Sequence, residues 1–253
     1  MPASFDETAR RATSPSVALK KQLLAWFPWL RQDRHLLRVM QARWWNNRQE
    51  MMDTAHITKE WDFELPLERE RHARILSVIS ELHPGPKSLH ALEVGCAEGL
   101  FTRKLAARCA SVVACDISPV ACARAAKRCA DLPNVIVRKL DIAREPVSDR
   151  FDWVFAMDVL YYVHGRDHLR KAIDNLTKAL TQGGHLIVCE CRLPEHLRDA
   201  WWMRWFPEGA DAVMECITRY SGLELVHREF HPADGTHVPD YMDHIFAFFK
   251  HRS

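Results

Sequence analysis

The segment from Leu92 to Thr102 reads LEVGCAEGLFT, an apolar run followed by glycines at positions 95 and 99. Glycine at such a turn allows the backbone to approach a bound molecule closely. The carboxylate of Asp116 ends the next apolar run, 23 residues after Glu93, where it can accept hydrogen bonds from both hydroxyls of a ribose. These residue types at this spacing predict a nucleotide-binding pocket.

The spacing of the glycines distinguishes between two kinds of nucleotide. The dinucleotide fingerprint G-x-G-x-x-G would require glycine or alanine at position 100, which is a leucine. Instead an acid, Glu93, precedes Gly95, Ala97 and Gly99, which stand at every second position. This segment resembles the E-x-G-x-G-x-G loop of class I S-adenosylmethionine-dependent methyltransferases, with alanine in place of the middle glycine. Their cofactor has an amino acid tail and a sulfonium, and it has no pyrophosphate to be bound at a helix N-terminus.

The elements that must position this loop alternate between strands and helices after residue 86. Apolar runs typical of strands are SLHALEVG, SVVACD, NVIVRKLD, FDWVFAMD, GGHLIVCE, LELVHREF and HIFAFFK. Helical patterns separate most of these runs, which predicts a parallel sheet covered on both faces. The last two runs have no helix between them and predict an antiparallel pair at one edge. We therefore predict an α/β fold, a Rossmann-like, doubly wound, seven-stranded and mostly parallel sheet with an antiparallel edge strand, which binds ligands at the carboxyl ends of its strands.

The chain before the sheet differs in composition. Residues 1–16 are polar and predict a disordered N-terminus, residues 17–86 predict a helical lid or cap, and residues 87–253 predict the cofactor-binding domain. Between Thr8 and Gln49, nine basic residues and one acid give a charge of +8, so the rest of the chain carries −6 of the total of +2. Such a charge is typical of a solvated helix face or of contact with an acidic partner, substrate or membrane surface.

The tryptophans are concentrated on both sides of the predicted sheet. They are Trp26, Trp29, Trp44, Trp45 and Trp61 before it, and Trp201, Trp202 and Trp205 after its fifth strand, whereas Trp153 belongs to the alternating core. If both segments fold over the cofactor end, they form an aromatic-walled pocket or lid suited to a sugar ring, an aromatic ring or an alkylamine. The alternative is that these indoles form the core of the lid itself.

Further segments extend the resemblance to class I methyltransferases in the order of that family's motifs. These are LDI at 140–142, FDWVFAMDVLYYV at 151–163 and LTQGGHLIVCE at 180–190, which resemble the ends or openings of the third, fourth and fifth strands. A narrower resemblance, over residues 61–190, is to the nodulation-protein-S-like N-methyltransferases. It rests on PLERERH at 66–72 and on ALEVGCAEGLFTRKLAARC, VLYYV and IDNLTKALTQGGHLIV. Those enzymes act on the free amine of a chitooligosaccharide.

The resemblance implies a set of residues that bind S-adenosylmethionine. The expected set is Glu93, Gly95, Cys96, Ala97, Gly99, Thr102, Asp116, Ile117, Asp141, Ile142, Met157, Asp158 and His72. Within it, Asp141 would meet the adenine amino group. His72, together with Arg71 and Glu68 in the preceding helical stretch, would close over the cofactor.

The methyl acceptor is expected near the end of the fourth strand. Tyr161, Tyr162 and His164 leave that strand toward the point of transfer, so they are the candidates for orienting or deprotonating the acceptor. The alternatives are packing for the tyrosines and a surface loop for His164. Asp158 could bind either the cofactor tail or an acceptor amine.

These features predict methyl transfer from S-adenosylmethionine to a small-molecule acceptor, at nitrogen, in a biosynthetic pathway. Nitrogen is favoured because a hydroxyl needs a stronger base than an amine does, and no acid–histidine pair is recognisable near VLYYV. The alternatives are a small-molecule O-methyltransferase, a methyltransferase of an anionic macromolecule or lipid headgroup, and a non-catalytic cofactor-binding partner subunit. The basic, tryptophan-containing N-terminal segment supports the second of these. The intact set of Glu93, Gly95, Gly99 and Asp116 argues against the third.

Other sequence features bear on location and on metals. No apolar run reaches the roughly 18 residues of a membrane-spanning helix, and the first sixteen residues do not have the pattern of a secretory signal. We therefore expect a cytoplasmic protein. The eight cysteines form no C-x-x-C pair and the histidines form no H-E-x-x-H motif, so no metal is expected.

Overall fold

The structure, a computed structural model, describes residues 25–26, 48–57, 66–84, 88–163, 165–192, 210–231 and 244–251. Seven strands and the helices around them make up most of these residues. The helices that position the site are α1 (Arg48–Ile57), α2 (Pro66–Leu82), α3 (Leu100–Ala106), α4 (Pro119–Arg128), α5 (Arg166–Lys178) and α6 (Ala210–Tyr220). The strands are β1 (His90–Val94), β2 (Ser111–Asp116), β3 (Val135–Lys139), β4 (Phe151–Met157), β5 (Leu180–Cys191), β6 (Glu224–His231) and β7 (His244–Lys250). A short 3₁₀ turn, Leu160–Tyr162, follows β4.

The strands form one sheet in the order β3-β2-β1-β4-β5-β7-β6. β1 to β5 are parallel, and the strand order reverses between β1 and β4, so that Val94 pairs with Cys115 on one side and with Ala156 on the other. This reversal places a crevice at the carboxyl ends of β1 and β4. The predicted Rossmann-like, mostly parallel sheet is confirmed.

The predicted antiparallel pair is present at one edge of the sheet. β7 is antiparallel both to β5 and to β6, and β6 is the outermost strand. The inner position suits β7 because every residue of HIFAFFK except Lys250 is buried, whereas β6 exposes Leu225, Val226 and Phe230. A strand that is apolar on both faces is typical of an inner position, where both faces of the sheet are covered.

Helices cover both faces of the sheet, which is the doubly wound arrangement. On one face α5 and α6 contribute Leu169, Ile173, Leu176, Val213 and Ile217 to a core shared with β4, β5 and β7. On the other face α2 and α3 contribute Ile75, Leu76, Val78, Ile79, Phe101 and Leu105 to a core with Phe155, Ile187, Phe246 and Phe248. Both clusters consist of residues that are nearly inaccessible to solvent.

The helix α2 packs directly on the sheet, although the sequence placed it in the segment 17–86. Its buried face belongs to the core just described, and Arg74 makes a two-oxygen ion pair with Glu229 of β6 at 2.6–3.0 Å. The division of the chain at residue 86 stays a prediction. None of the helices within the described ranges has both the length and the apolar character needed to cross a membrane.

The start of α4 follows the sequence closely. Ser118 accepts a hydrogen bond from the backbone N–H of Ala121 at 3.1 Å, and Pro119 occupies the first helical position. This is the expected chemistry of a helix N-terminus. The cap fixes the chain immediately after Asp116, so the carboxylate is held between a strand end and a helix start.

Candidate active site

The loop after β1 folds back over the end of β2. The backbone N–H groups of Gly95 and Cys96 both donate to the carbonyl oxygen of Cys115, at 2.7 and 2.9 Å. The next turn continues with Ala97, a non-glycine residue at φ 45°, whose N–H donates to Asp116 Oδ2 at 3.0 Å. The glycine loop and the carboxylate predicted to bind ribose are therefore one hydrogen-bonded unit.

The two glycines of the loop are required for different steric reasons. At Gly95, with φ +80°, an added Cβ would lie 2.1 Å from Cγ2 of Val159 in the segment after β4. At Gly99, with φ +81°, a Cβ would lie 3.1 Å from the Cα of Ala125 in α4. Gly95 thus lets the ends of β1 and β4 approach each other, and Gly99 lets α3 begin against α4.

Asp116 is buried and is held by backbone donors. Oδ1 accepts from the N–H of Ser118 at 2.9 Å, and Oδ2 accepts from Ala97. Burial raises the pKa of Asp116, and the nearby His56 and the two backbone donors oppose that rise. A carboxylate presented in this way at the end of β2 can accept hydrogen bonds from a ribose.

The helix α1 lies beside this carboxylate. Ser118 Oγ hydrogen-bonds to Asp53, and Arg124 of α4 donates to the carbonyl oxygen of His56 at 2.6 Å. His56 is buried, and its pKa is lowered by burial, an effect that the charge of Asp116 opposes. Sequence reasoning missed Asp53 and His56 because neither belongs to a recognisable motif.

Glu93 of β1 is buried and contacts α3. It accepts a hydrogen bond from Thr102 Oγ1 at 2.6 Å, and both side chains are buried. Burial raises the pKa of Glu93 to about 7, although the Thr102 hydroxyl acts in the opposite direction. The structure thus brings these two predicted residues together, with the acid beneath the glycine loop.

The remaining predicted cofactor residues lie around the same edge of the sheet. Cys96 and Ile142 are buried, whereas Ile117, Asp141 and Met157 are partly accessible. Asp141 Oδ1 accepts from the N–H of Ala143 at 3.1 Å, which fixes its carboxylate in the turn after β3. Binding of the cofactor by each of these residues stays a prediction.

A buried group of charges connects α2 to the end of β4. Arg71 forms ion pairs with both Glu68 and Asp158, and His244 Nε2 lies 3.2 Å from Asp158 Oδ1. Burial alone would raise the pKa of Asp158, but the Arg71 guanidinium and His244 hold it well below its usual range. Asp158 is therefore a carboxylate at the carboxyl end of β4. The sequence analysis named Asp158 and Arg71 but not His244.

His72, the next residue of α2, contacts α3. Its ring lies 4.7 Å from the ring of Phe101, and its Nδ1 lies 3.1 Å from Lys104 Nζ. Burial, followed by the charges of Arg71 and Lys104, lowers the pKa of His72 to about 3. It is accordingly a neutral, packed side chain.

The two tyrosines lie in the 3₁₀ turn and are buried. Their ring centroids are 4.4 Å apart, and Glu190 of β5 accepts from the backbone N–H groups of Leu160 and Tyr161 at 3.0 and 3.4 Å. Burial raises the pKa of Tyr161 well above its usual value, which disfavours a phenolate. Packing and orientation are thus the roles that suit Tyr161 and Tyr162, and their part in catalysis stays a prediction.

Several residues of the predicted acceptor side lie outside the described residues. They are His164 and the tryptophans Trp29, Trp44, Trp45, Trp61, Trp201, Trp202 and Trp205. Of the two described tryptophans, Trp26 is exposed, and Trp153 stacks on His185 with ring centroids 4.7 Å apart. The aromatic wall stays a prediction.

Asp158, Cys189 and His244 also meet the geometric requirement for a metal site. Their ligand atoms lie within 4.8 Å of one another, and they form the one such group among the described residues. However, Arg71 already supplies a cation there, since it pairs with Asp158 and lies 3.7 Å from Cys189 Sγ. Burial also raises the pKa of the Cys189 thiol well above its usual value.

Replacing Arg71 with methionine is expected to lower the free energy of unfolding by about 3 kcal/mol, because Glu68 and Asp158 would remain enclosed without their cation. Urea denaturation followed by circular dichroism measures this change. Arg69→Met, at an exposed position of the same helix, is the matched control and should unfold like the wild type. Equal destabilisation by both substitutions would show that the buried group of charges does not require Arg71.

Comparison with known proteins gives consistent matches. The family described as nodulation protein S matches residues 47–235. The nodulation protein S of Rhizobium tropici is 35% identical over 154 residues, which cover 60% of this chain and 61% of the relative. That of Sinorhizobium fredii (strain NBRC 101917 / NGR234) is 35% identical over 138 residues, which cover 53% of this chain and 62% of the relative. The chain thus aligns with about three fifths of the length of these two relatives.

A solved structure shares the fold over most of the chain. It is the N-methyltransferase NodS from Bradyrhizobium japonicum WM9 in complex with S-adenosyl-L-homocysteine. The TM-score is 0.69 at 29% sequence identity, and the match covers 82% of this chain and 100% of the other. The Rossmann-like fold expected from the sequence is therefore shared with a methyltransferase.

Proposed function

Because the chain belongs to the nodulation protein S family, we propose that it transfers a methyl group from S-adenosylmethionine to an amine of a small molecule in a biosynthetic pathway. The observation that carries the proposal is the unit formed by the Gly95–Gly99 loop and Asp116, in which Ala97 binds the carboxylate at the end of β2. The S-adenosylhomocysteine bound by the Bradyrhizobium relative supports the same cofactor here.

The charges around the crevice fit this cofactor better than a dinucleotide. Asp116 and Asp158 present carboxylates at the ends of β2 and β4, which would repel a pyrophosphate placed beside them. A sulfonium and an α-ammonium are positively charged and suit the same surroundings. Asp116 would hold the ribose, and the loop backbone would pass beside the amino acid tail.

The bound cofactor would supply an electrophilic methyl group on a positively charged sulfur. The chain's own residues then have to hold the acceptor nitrogen in line with that methyl group and exclude water. The end of β4 serves the first task because Asp158 is fixed there by Arg71 and His244. The helix α1, packed beside Asp116, serves the second.

Labelled S-adenosylmethionine tests the reaction. The full chain is incubated with glucosamine, linked glucosamine oligomers, spermidine, tyramine, a simple phenol and RNA, and the labelled products are identified by mass spectrometry. The proposal predicts label on the nitrogen of at least one amine. Label on a phenol or sugar hydroxyl in preference to every amine would instead establish the O-methyltransferase alternative, and label on RNA the macromolecular one.

We also propose where the protein is located and what it acts on. We place the protein in the cytoplasm, where S-adenosylmethionine is available and where the eight cysteines, all free thiols in the structure, stay reduced. The partner is a small-molecule amine. No metal is included, because Arg71 supplies the cation beside Asp158.

Deleting residues 1–60 tests the proposed lid, because it removes α1 with Asp53 and His56 and retains α2 in the core. The truncated protein is expected to fold but to turn over about 100-fold more slowly, since the acceptor and cofactor would be less well positioned and less shielded from water. Circular dichroism and the labelled-methyl assay measure the two quantities. Full activity of the truncated chain would assign the segment to targeting or partner binding instead.

A further inference from the structure

Asp158 and His244 form an acid–histidine pair that no sequence motif indicates. Asp158 follows β4 directly, and His244 is the first residue of β7, on the far side of β5. Because β7 is antiparallel to β5, its first residue lies at the edge where the parallel strands end. The carboxylate and the imidazole meet there with Oδ1 and Nε2 3.2 Å apart.

The backbone of Asp158 is fixed by a hydrogen bond and has an unusual conformation. Its N–H donates to the carbonyl oxygen of Cys189 at 2.7 Å, and its φ of 53° lies in the left-handed region that non-glycine residues seldom adopt. Such strained conformations are concentrated at functional sites. Within the pair the carboxylate is the more accessible member, with 24% of its side chain exposed against 7% for His244.

The formal charge around Asp158 depends on His244. Arg71 contributes one positive charge, and Glu68 and Asp158 contribute two negative charges, so the group carries −1 when the imidazole is neutral. Protonation of His244 brings the total to zero. The negative group attracts the acceptor ammonium before the proton is transferred.

Apart from Arg71 and Glu68, four other titratable side chains lie near the pair among the described residues. They are Cys189, Glu190 and Cys191 of β5 and Tyr161 of the 3₁₀ turn. Burial raises the pKa of each of these four groups well above its usual value. The imidazole of His244, whose Nε2 lies 3.2 Å from Asp158 Oδ1, is the described group placed to accept a proton from an ammonium bound to that carboxylate.

We propose that Asp158 holds the acceptor nitrogen and that His244 takes the proton which an acceptor ammonium must lose, an inference that rests on the proposed function. The proton passes from R–NH₃⁺ to the neutral imidazole, which leaves R–NH₂ and an imidazolium. The nitrogen lone pair then forms the N–CH₃ bond while the C–S bond breaks and its electron pair stays on sulfur. The positive charge that moves from sulfur to nitrogen appears beside the Asp158 carboxylate, which stabilises it. The imidazolium releases its proton to solvent between turnovers.

His244→Gln tests this assignment, because glutamine keeps a polar side chain near Asp158 but cannot accept the proton. The substrate is the amine methylated fastest in the panel above, and kcat and KM are measured from about pH 5 to 9. We expect kcat to fall about 100-fold. KM for the amine should change much less, because Asp158 remains to bind it. Asp158→Asn should in addition raise KM for the amine.

The matched control is His90→Gln. It makes the same substitution at the exposed first residue of β1, at the amino ends of the parallel strands, and should behave like the wild type. Calorimetry with S-adenosylhomocysteine and thermal unfolding accompany each variant. If His244→Gln is unfolded, His244→Asn and Asp158→Asn decide the question. A folded His244→Gln with the wild-type kcat and pH profile would overturn the role of the pair. A wild type that transfers no methyl group to any amine would overturn the proposed function as well.

Discussion

Asp116→Ala is expected to weaken binding of S-adenosylhomocysteine by about 100-fold or more, because each hydrogen bond to a charged group contributes roughly 1.5–3 kcal/mol and a ribose offers two hydroxyls. The substitution also removes the acceptor for the N–H groups of Ala97 and Ser118, which shape the cofactor loop. Isothermal titration calorimetry of the full chain measures the affinity.

Two further variants make this result interpretable. Asp116→Asn keeps one carbonyl oxygen and should bind with an affinity between those of the wild type and the alanine variant. Asp131→Ala removes an exposed carboxylate paired with Arg103 and should leave the affinity unchanged. If the folded Asp116→Ala protein bound the ligand as tightly as the wild type does, the assignment of Asp116 to the ribose would be wrong.

Gly95→Ala is expected to lower the free energy of unfolding by about 3 kcal/mol. A left-handed φ costs a non-glycine residue roughly 1–2 kcal/mol. Contact of the new methyl group with Val159, at 2.1 Å, adds an overpacking cost of about 1–3 kcal/mol. Cofactor binding should fall in parallel, because relieving the contact displaces the loop or the segment after β4 that packs against it. Urea denaturation and calorimetry measure the two effects.

Gly183→Ala separates the two causes. Gly183 has nearly the same φ, +77°, but an added Cβ would meet nothing within 4 Å. This control should therefore show the backbone cost alone. Adding Val159→Ala to Gly95→Ala should recover the contact cost, because the clashing Cγ2 atom is removed. Equal destabilisation by Gly95→Ala and Gly183→Ala would mean that Val159 does not restrict the loop.

Local sequence signals predicted the scaffold well. The apolar runs that become β1, β2 and β4 are buried strands, and Ser118 and Pro119 begin a helix as their chemistry requires. Such features depend on neighbouring residues, so a single sequence contains them. The confirmed position of the glycine loop at the end of β1 follows from the same kind of signal.

Contacts between segments that are far apart in the sequence were harder to predict. His244 lies beside Asp158 because β7 inserts between β5 and β6. Nothing in the segment HIFAFFK indicates that it pairs with β5. For this reason the sequence shows no recognisable acid–histidine pair near VLYYV, although the structure contains one. His56 reaches the surroundings of Asp116 through the packing of α1 on α4, which is likewise a long-range contact.

The boundary between the cofactor-binding domain and the lid also depends on contacts that the sequence does not show. A helical pattern over 66–82 does not reveal whether the helix covers a ligand or the sheet, because both would bury one apolar face. In the structure Ile75 and Ile79 pack on the sheet, while Arg71 and Glu68 on the same helix meet Asp158. The helix α2 therefore belongs to the core and to the candidate site at once.

Calorimetry of the wild-type chain with S-adenosylhomocysteine and, separately, with NADH tests the central claim most directly. The glycine loop, the Asp116 carboxylate and the carboxyl groups at the ends of β1 and β4 predict that one S-adenosylhomocysteine binds per chain and that NADH does not bind. Tight binding of NADH without binding of S-adenosylhomocysteine would contradict the assignment of the cofactor and, with it, the proposed methyl transfer.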